Sequence, residues 1–178
     1  MTVTARSEED SSARQEDLFI SGIEPLLPMA YRLAYGLLRR PEEAEDAVQD
    51  ATLNAWRRRS TFRAGSEVRP WFLAIVANQC RQATRTRWWS VIRLAEPEAP
   101  HQEVHVGDSE AVLSLRAGLS KLSSADRLVL LLRYYLDLSF DEVAATLRVS
   151  PPAARVRAHR ALARLRPNIV VREELQDG

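Results

Sequence analysis

Apolar residues recur at three- and four-residue steps along most of the 178-residue chain, a spacing that is typical of amphipathic helices. The pattern extends from about Asp17 to Ala95, with a proline or glycine marking breaks at positions 25, 28, 41, 65 and 70, and it returns from Ser109 to Leu165. Alternating runs around a hairpin turn, which would predict strands, are not found. The sequence therefore predicts an all-α fold.

Composition divides this helical pattern into two small domains. Residues 96–109 contain two prolines, a glycine and several acids without periodicity, which predicts a flexible linker. We expect a disordered N-terminal tail at 1–16, one helical domain at 17–95, a second at 110–167 and a C-terminal tail at 168–178.

The first domain contains a helix with an acidic side. Pro41 suits the first turn of a helix, and Glu42 and Glu43 favour the positive end of its dipole. One side is apolar and faces a core. The other side carries Glu45, Asp46, Gln49, Asp50 and Asn54. This acidic side is either an ordinary solvated face or a docking surface for a basic protein partner.

The next helix combines aromatic, apolar and basic residues. A loop is expected at 62–69, after which Pro70 opens a helix. Its Trp71 and Phe72 either pack in the core, which is favoured, or form stacking platforms for bases. Its polar side carries Asn78, Gln79, Arg81, Gln82, Arg85 and Arg87. Arginines that hold phosphate, and amides that read base edges, suit single-stranded or unstacked nucleic acid. Trp88 either packs under the helix or lies beside the DNA.

Residues 139–165 have the pattern of a helix-turn-helix. Ser139 predicts a capping box for a helix over Phe140–Leu147, residues 148–150 form a break, and Pro151 opens a second helix. One face of that helix carries Ala154, Ala158, Ala161, Leu162 and Leu165. Arginines occupy the opposite face, as is typical of a helix that enters the major groove.

The arginines of the second helix have separate expected roles. Arg157, His159 and Arg160 point away from the apolar face, with Arg155 beside them. Arginine can bridge a guanine edge bidentately or grip phosphate. We expect Arg157 and Arg160 to lie nearer the bases and Arg155 nearer the backbone.

Charge distribution supports two DNA-binding regions although the net charge is only +1. Residues 51–93 carry nine arginines and one glutamate, and residues 148–166 carry six arginines and no acid. The single cysteine, Cys80, excludes an internal disulfide, and we expect it to be a packed, inert thiol. No signal peptide or membrane span is found, which predicts a cytoplasmic protein. His101 and His105 are interpreted as solvated linker residues rather than metal ligands.

Three blocks resemble the extracytoplasmic-function sigma factors, the smallest class of the main bacterial sigma factor family. They are AEDAVQDATLNAWRRRSTFR, VRPWFLAIVANQCR and, after the linker, LSFDEVAATLRVSPPAARVRAHRALARLR. The resemblance covers roughly residues 20–167, and the three blocks occur in the family's order. It implies that the first domain corresponds to sigma region 2 and the second to sigma region 4.

The resemblance implies the partners of each domain. The acidic helix, about Glu42–Trp56, would dock on the β′ clamp coiled coil of core RNA polymerase, and region 4 would contact the β flap. The loop at 62–69 and the following helix would recognise and melt the minus-ten element, with contacts from Arg63, Asn78, Arg81, Arg85 and Trp88. The helix from Pro151 would read the minus-thirty-five element, with contacts from Ser150, Ala153, Arg155, Arg157, His159 and Arg160. An anti-sigma factor is a further implied partner, and no cofactor, metal or small-molecule substrate is implied.

The sequence departs from the family pattern at several positions. Pro152 and Ala153 stand where a small residue or glycine followed by threonine is usual, so a hydroxyl contact to DNA is missing. Arg148 stands at the usual turn glycine, which predicts a slightly rearranged turn. Gln82 stands near a common aspartate, which predicts an altered minus-ten preference.

Three other classes of protein remain open. A stand-alone DNA-binding regulator would bind duplex DNA without polymerase and would not need the acidic helix. An interaction-only adaptor would be expected to lack the arginine faces. An enzyme is disfavoured because the sequence shows no nucleophile–base pair, metal cluster or glycine-rich phosphate loop.

Overall fold

The computed structural model of the chain describes residues 19–59, 62, 67–94 and 110–169, with residues 86–94 described by their backbone alone. Every regular element in these ranges is helical, which confirms the predicted fold class. The chain divides into two compact units, Met1–Thr86 and Arg87–Gly178. The predicted tail at 1–16 and the predicted linker at 96–109 lie outside the described residues.

The first unit begins with helical residues 19–23 and a 3₁₀ turn at Glu24–Leu26. Helix α1 spans Leu27–Leu38, α2 spans Pro41–Arg57 and α3 spans Val68–Leu94, so that α3 passes the boundary of the first unit after Thr86. Helix α1 ends at Arg39, which has the left-handed conformation (φ 62°), and the Arg39 N–H donates to the Tyr35 carbonyl at 2.8 Å. Helix α1 then packs against α2.

Small residues form the buried side of α2. Its buried residues are Ala44, Ala47, Ala51 and Ala55. The distance between packed helices depends on the side chains at the contact, so a stripe of alanines allows close approach. Helix α3 contributes larger residues to the core of this unit, among them Phe72, Leu73 and Val76.

Helix α3 begins two residues earlier than the sequence predicted. The expected loop included Val68 and Arg69, yet both are helical and Pro70 is the third residue of the helix. The first four N–H groups of a helix have no partner within it, so a proline is tolerated at the third position as well as the first. The predicted start at Pro70 was therefore wrong by two residues.

The second unit contains the predicted helix-turn-helix. Helix α4 spans Glu110–Ser120, α5 spans Ser124–Leu130 and continues as a π turn at Leu131–Tyr135, α6 spans Phe140–Leu147 and α7 spans Pro151–Leu165. A 3₁₀ turn follows at Arg166–Asn168. Helices α5 and α6 both pack against α7, and α4 packs against the final turn.

Side chains fix the connections before α6. Ser123 is the N-cap of α5, because its hydroxyl accepts from the Asp126 N–H at 3.1 Å. The π turn is closed by the Leu136 N–H, which donates to the Leu131 carbonyl at 2.9 Å. Arg133 then donates to Asp137 Oδ1 at 3.1 Å and to the Leu138 carbonyl at 3.2 Å. These contacts set the corner from which α6 starts.

Candidate nucleic-acid and polymerase interfaces

The first helix of the helix-turn-helix starts at a complete capping box, as predicted. The Glu142 N–H donates to Ser139 Oγ at 3.2 Å, and the Ser139 N–H donates to Glu142 Oε2 at 2.8 Å. Each residue therefore satisfies a backbone donor that the helix leaves without a partner. The predicted bounds, Phe140–Leu147, are confirmed.

The turn ends α6 with a left-handed arginine. Arg148 has φ 55° and ψ 50°, a conformation that favours glycine. The Val149 N–H donates to the Ala144 carbonyl at 3.0 Å, and the Arg148 N–H donates to the Ala145 carbonyl at 3.3 Å. This pair of bonds is a Schellman motif. The arginine therefore adopts the glycine-type turn itself, and the expected rearrangement is not needed to accommodate it.

Helix α7 starts at Ser150, whose hydroxyl accepts from the Ala153 N–H at 3.4 Å. Pro151 occupies the first helical position, as predicted. Ser150 and Ala153 were both expected to contact DNA. The structure gives Ser150 the role of a helix cap and leaves Ala153 half-buried.

One face of α7 is buried and consists mainly of alanine. Its buried residues are Ala154, Ala158, Ala161 and Leu165, with Leu162 half-buried. At 3.6 residues per turn these positions form one stripe. The stripe holds α7 close to α5 and α6, and it directs the remaining positions of α7 away from the core.

The predicted base-contacting arginines lie on that outer side. Arg157, His159 and Arg160 are exposed. Within the described part of the chain, Arg157 and Arg160 make no hydrogen bond or ion pair. Their guanidinium groups are therefore available to an external acceptor.

Two other arginines of α7 are engaged by the protein. Arg155 lies over the ring of Phe140 with its guanidinium carbon 5.5 Å from the ring centre, and Arg133 lies over the same ring at 5.2 Å. Arg164 donates to Asp126 Oδ2 at 2.7 Å and so joins α7 to α5. These contacts hold α7 against its neighbours.

Val156 was not among the predicted contacts. It lies on the outer face of α7 between Arg155 and Arg157, and it is 47% exposed. The predicted contacts on that face were Ala153 and polar residues, and Val156 lies among them. The signal that could have identified Val156 is its position three or four residues from Pro152, Ala153, His159 and Arg160.

The polar side of α3 forms a single stripe. Asn78 and Gln82 are four residues apart, as are Arg81 and Arg85, and all four are exposed. Among the described residues, Asn78, Arg81 and Arg85 make no hydrogen bond or ion pair. Trp88 continues the same register, but its side chain is not described, and Arg63 lies outside the described residues.

The opposite side of α3 is buried. Phe72 is completely buried, and half-buried Trp71 lies 5.0 Å from the ring centre of Phe62, which ties the described end of the preceding loop to α3. Gln79 was expected on the polar side but is buried, since it stands one turn after the apolar pair Ile75 and Val76. Cys80 is also buried, which confirms its expected packed position.

Burial changes the chemistry of the Cys80 thiol. Desolvation raises the pKa of this thiol from 9.0 to about 12. The thiol therefore stays protonated at neutral pH and is a poor nucleophile.

The acidic side of α2 is exposed along the helix. Glu45, Asp46, Gln49 and Asp50 are exposed, Asn54 is half-buried, and Leu53 within the same side is 47% exposed. Glu45, Asp46 and Asp50 have no ion-pair partner among the described residues. Asp46 and Asp50 are four residues apart, a spacing at which like charges repel by roughly 0.2–0.5 kcal/mol. A cationic partner would remove that repulsion.

Neither a metal-binding cluster of His, Cys, Asp or Glu nor a helix able to cross a membrane is found in the described ranges. His101 and His105 lie outside these ranges, so their interpretation stays a prediction.

Comparison with known families assigns both units. Residues 23–90 match the family model for Sigma-70 region 2, and residues 113–165 match the model for Sigma-70, region 4. A chain that carries both regions in this order is a transcription initiation factor of the sigma-70 class.

Sequence relatives show which class of sigma factor the chain belongs to. RNA polymerase sigma-E factor of Streptomyces coelicolor is 30% identical over 148 residues, which cover 80% of this chain and 80% of the relative. Sigma factor CarQ of Myxococcus xanthus is 32% identical over 133 residues, which cover 73% and 76%. ECF RNA polymerase sigma factor SigM of Mycobacterium tuberculosis is 31% identical over 140 residues, which cover 76% and 68%. The chain belongs to the extracytoplasmic-function sigma factors, and it directs RNA polymerase to specific promoters.

Solved structures share the fold. Sigma factor RpoE of Bartonella quintana, in complex with the anti-sigma factor NepR, gives a TM-score of 0.71 at 24% identity and covers 84% of this chain and 95% of that chain. CnrH, in complex with the cytosolic domain of CnrY, gives 0.64 at 24% identity and covers 85% and 87%.

Proposed function

We propose that three helix faces divide the work of promoter recognition. The acidic side of α2 binds core polymerase, the stripe of α3 contacts the minus-ten element and the outer face of α7 reads the minus-thirty-five element. One observation carries this proposal: Arg157 and Arg160 have no hydrogen bond or ion pair within the described residues, on the side of α7 opposite the buried alanines. Arginines without internal partners on a helix of this kind suit guanine and phosphate.

Charge on α2 supports the docking of core polymerase. Glu45, Asp46, Gln49, Asp50 and Asn54 form the proposed docking set. A β′ clamp coiled coil that presents basic residues would neutralise these acids. Reversing Asp46 and Asp50 to lysine should weaken capture of purified core polymerase, because attraction to a basic partner becomes repulsion.

A matched double reversal controls this test. Glu24 and Glu67 are exposed acids of the same unit outside the docking set, and reversing both to lysine makes the same change in net charge. Core capture should be retained by this control. Equal capture by the Asp46 and Asp50 double variant and the native protein would contradict the docking face.

The stripe on α3 supports minus-ten recognition. Asn78, Arg81 and Arg85 extend along one side of a long helix, and Arg63 and Trp88 complete the proposed set. We expect Arg81→Ala with Arg85→Ala to reduce permanganate reactivity of minus-ten thymines in the holoenzyme, because strand separation loses its cationic support. Arg32→Ala, at an exposed position of α1, is the control. Full reactivity in the double variant would remove this stripe from the proposal.

The outer face of α7 supports minus-thirty-five recognition. Loss of a bidentate arginine–guanine contact costs about 1–3 kcal/mol, so Arg157→Ala or Arg160→Ala should weaken holoenzyme binding to a mapped promoter. Arg164→Ala is a control on the same helix, since Arg164 is held by Asp126. Unchanged promoter binding by both Arg157→Ala and Arg160→Ala would contradict the assignment of α7.

Ser150, Ala153, Arg155 and His159 complete the proposed minus-thirty-five set. Arg155, which lies over the ring of Phe140, is proposed to contact the DNA backbone rather than the bases. A polar cap at Ser150 and a small residue at Ala153 leave room for the backbone of the duplex at the start of α7.

The last part of the proposal concerns where the chain acts and which further partners it binds. The chain would act in the cytoplasm as a regulatory factor rather than an enzyme, and region 4 would also contact the β flap. The fold shared with a sigma factor solved with NepR supports an anti-sigma partner for this chain. Such a partner would compete with core polymerase, so its binding is measured as a loss of core capture.

A further inference from the structure

Helix α7 places an apolar residue at the centre of its outer face. The buried stripe of α7 consists of Ala154, Ala158, Ala161 and Leu165. At 3.6 residues per turn, position 156 lies on the side opposite this stripe. Val156 occupies that position and is 47% exposed.

The neighbours of Val156 make a small apolar surface bordered by a histidine and an arginine. Pro152 lies one turn before it and is exposed, and half-buried Ala153 lies beside Pro152. Exposed His159 and Arg160 lie one turn after it. An apolar patch that is bordered in this way fits an apolar group on an anionic partner.

Valine at this position is not explained by folding. Alanine is the best helix former, and α7 uses it at positions 153, 154, 158, 161 and 163. Valine has a lower helix propensity because its branched side chain loses rotamer freedom against the preceding turn. Half-exposed Val156 has little core burial to offset that cost.

DNA offers one apolar group in the major groove, the C5-methyl of thymine. We infer that Val156 contacts the C5-methyl group of a thymine in the minus-thirty-five element and makes the protein prefer an A·T pair at that position. The inference rests on the proposed docking of α7 in the major groove. It adds an apolar specificity contact to the arginine contacts and concerns a residue outside the predicted set.

The inference is tested by removing methyl groups from both partners of the proposed contact, the thymine and Val156. Holoenzyme containing the full chain is bound to a mapped promoter in which each minus-thirty-five thymine is replaced, one at a time, by deoxyuridine, which lacks only the methyl group. For native protein, one such replacement should weaken binding about fourfold, which corresponds to the ~0.8 kcal/mol of a buried methylene at tenfold per 1.4 kcal/mol. Val156→Ala should weaken binding to the thymine promoter by a similar factor.

The losses of binding caused by the two deletions should not be additive. With Val156→Ala, the deoxyuridine replacement at that position should have little further effect, because the contact is already lost. Val112→Ala, the same change at an exposed position of α4, should leave the response to deoxyuridine as in the native protein. Equal circular dichroism and melting of both variants would show that Val156→Ala folds normally, as expected for an exposed site.

Each outcome decides the inference. Coupling between Val156 and one thymine supports it. Identical deoxyuridine responses of native protein and Val156→Ala at every position overturn it, as does a minus-thirty-five element that contains no thymine on either strand. A scrambled minus-thirty-five element distinguishes failure of this inference from failure of the assignment of α7. If scrambling weakens binding but no coupling is found, the inference fails while the assignment of α7 stands. If scrambling has no effect, both fail.

Discussion

The arginine in the turn of the helix-turn-helix should cost stability. Arg148 holds φ 55° and ψ 50°. For a residue with a Cβ, this left-handed conformation costs roughly 1–2 kcal/mol. Glycine removes that cost but adds about 0.5–1 kcal/mol of unfolded-chain entropy. We therefore expect Arg148→Gly to raise the free energy of unfolding of the second unit by about 0.5–1 kcal/mol, and its midpoint by ~3–6 °C.

Thermal unfolding followed by circular dichroism measures this effect on the full chain. Arg148→Ala removes the same charge but keeps a Cβ in the left-handed conformation, so it should not give the gain. Arg39→Gly applies the same change to the left-handed end of α1 and tests the argument in the first unit. If Arg148→Gly is no more stable than Arg148→Ala, the backbone argument is refuted.

Three further predictions concern local contacts. Ser139→Ala removes the capping box and should lower the free energy of unfolding, measured by urea titration, by about 1 kcal/mol. Ser139→Asp keeps a capping side chain and should be nearly neutral, so an equal loss of stability in both variants would contradict the capping role. Asp126→Asn breaks the pair with Arg164, whose side chain is 61% exposed whereas that of Asp126 is 16% exposed. Because solvent reaches the arginine, the loss should be about 1 kcal/mol at low salt and smaller in high salt, and a loss that does not change with salt would contradict an electrostatic contribution of this pair. Cys80 should react slowly with a thiol reagent in the folded protein and rapidly in urea, because burial raises its pKa to about 12, and rapid labelling of the folded protein would contradict this burial. Since the folded-state pKa lies above the ordinary 9.0, the contribution of the thiol to stability is present below pH 9 and falls as pH rises toward 12.

The sequence predicted the helix-turn-helix well because its signals are local. Ser139 and Glu142 stand three residues apart and make both bonds of the capping box. Pro151 can start a helix but rarely continues one, so the break before α7 was also readable. The stripe of alanines on α7 followed from helical periodicity, and its exposed arginines followed from the same periodicity.

Features that depend on neighbours in space were not predicted. The π turn at Leu131–Tyr135 and the stacking of Arg155 on Phe140 join residues whose proximity depends on the packing of α5, α6 and α7. Gln79 is buried by its place beside the apolar side of α3, which overrides its polarity. Val156 was not predicted because its apolar side chain does not by itself indicate a DNA contact, and only helical spacing places it beside the predicted residues.

Run-off transcription tests the central claim most directly. Purified core RNA polymerase is supplied with promoter fragments, with and without this protein. The account predicts specific transcripts only when the protein is present, and their loss when the minus-thirty-five element is scrambled. No protein-dependent transcript, together with tight duplex binding in the absence of polymerase, would contradict the account and indicate a stand-alone DNA-binding regulator.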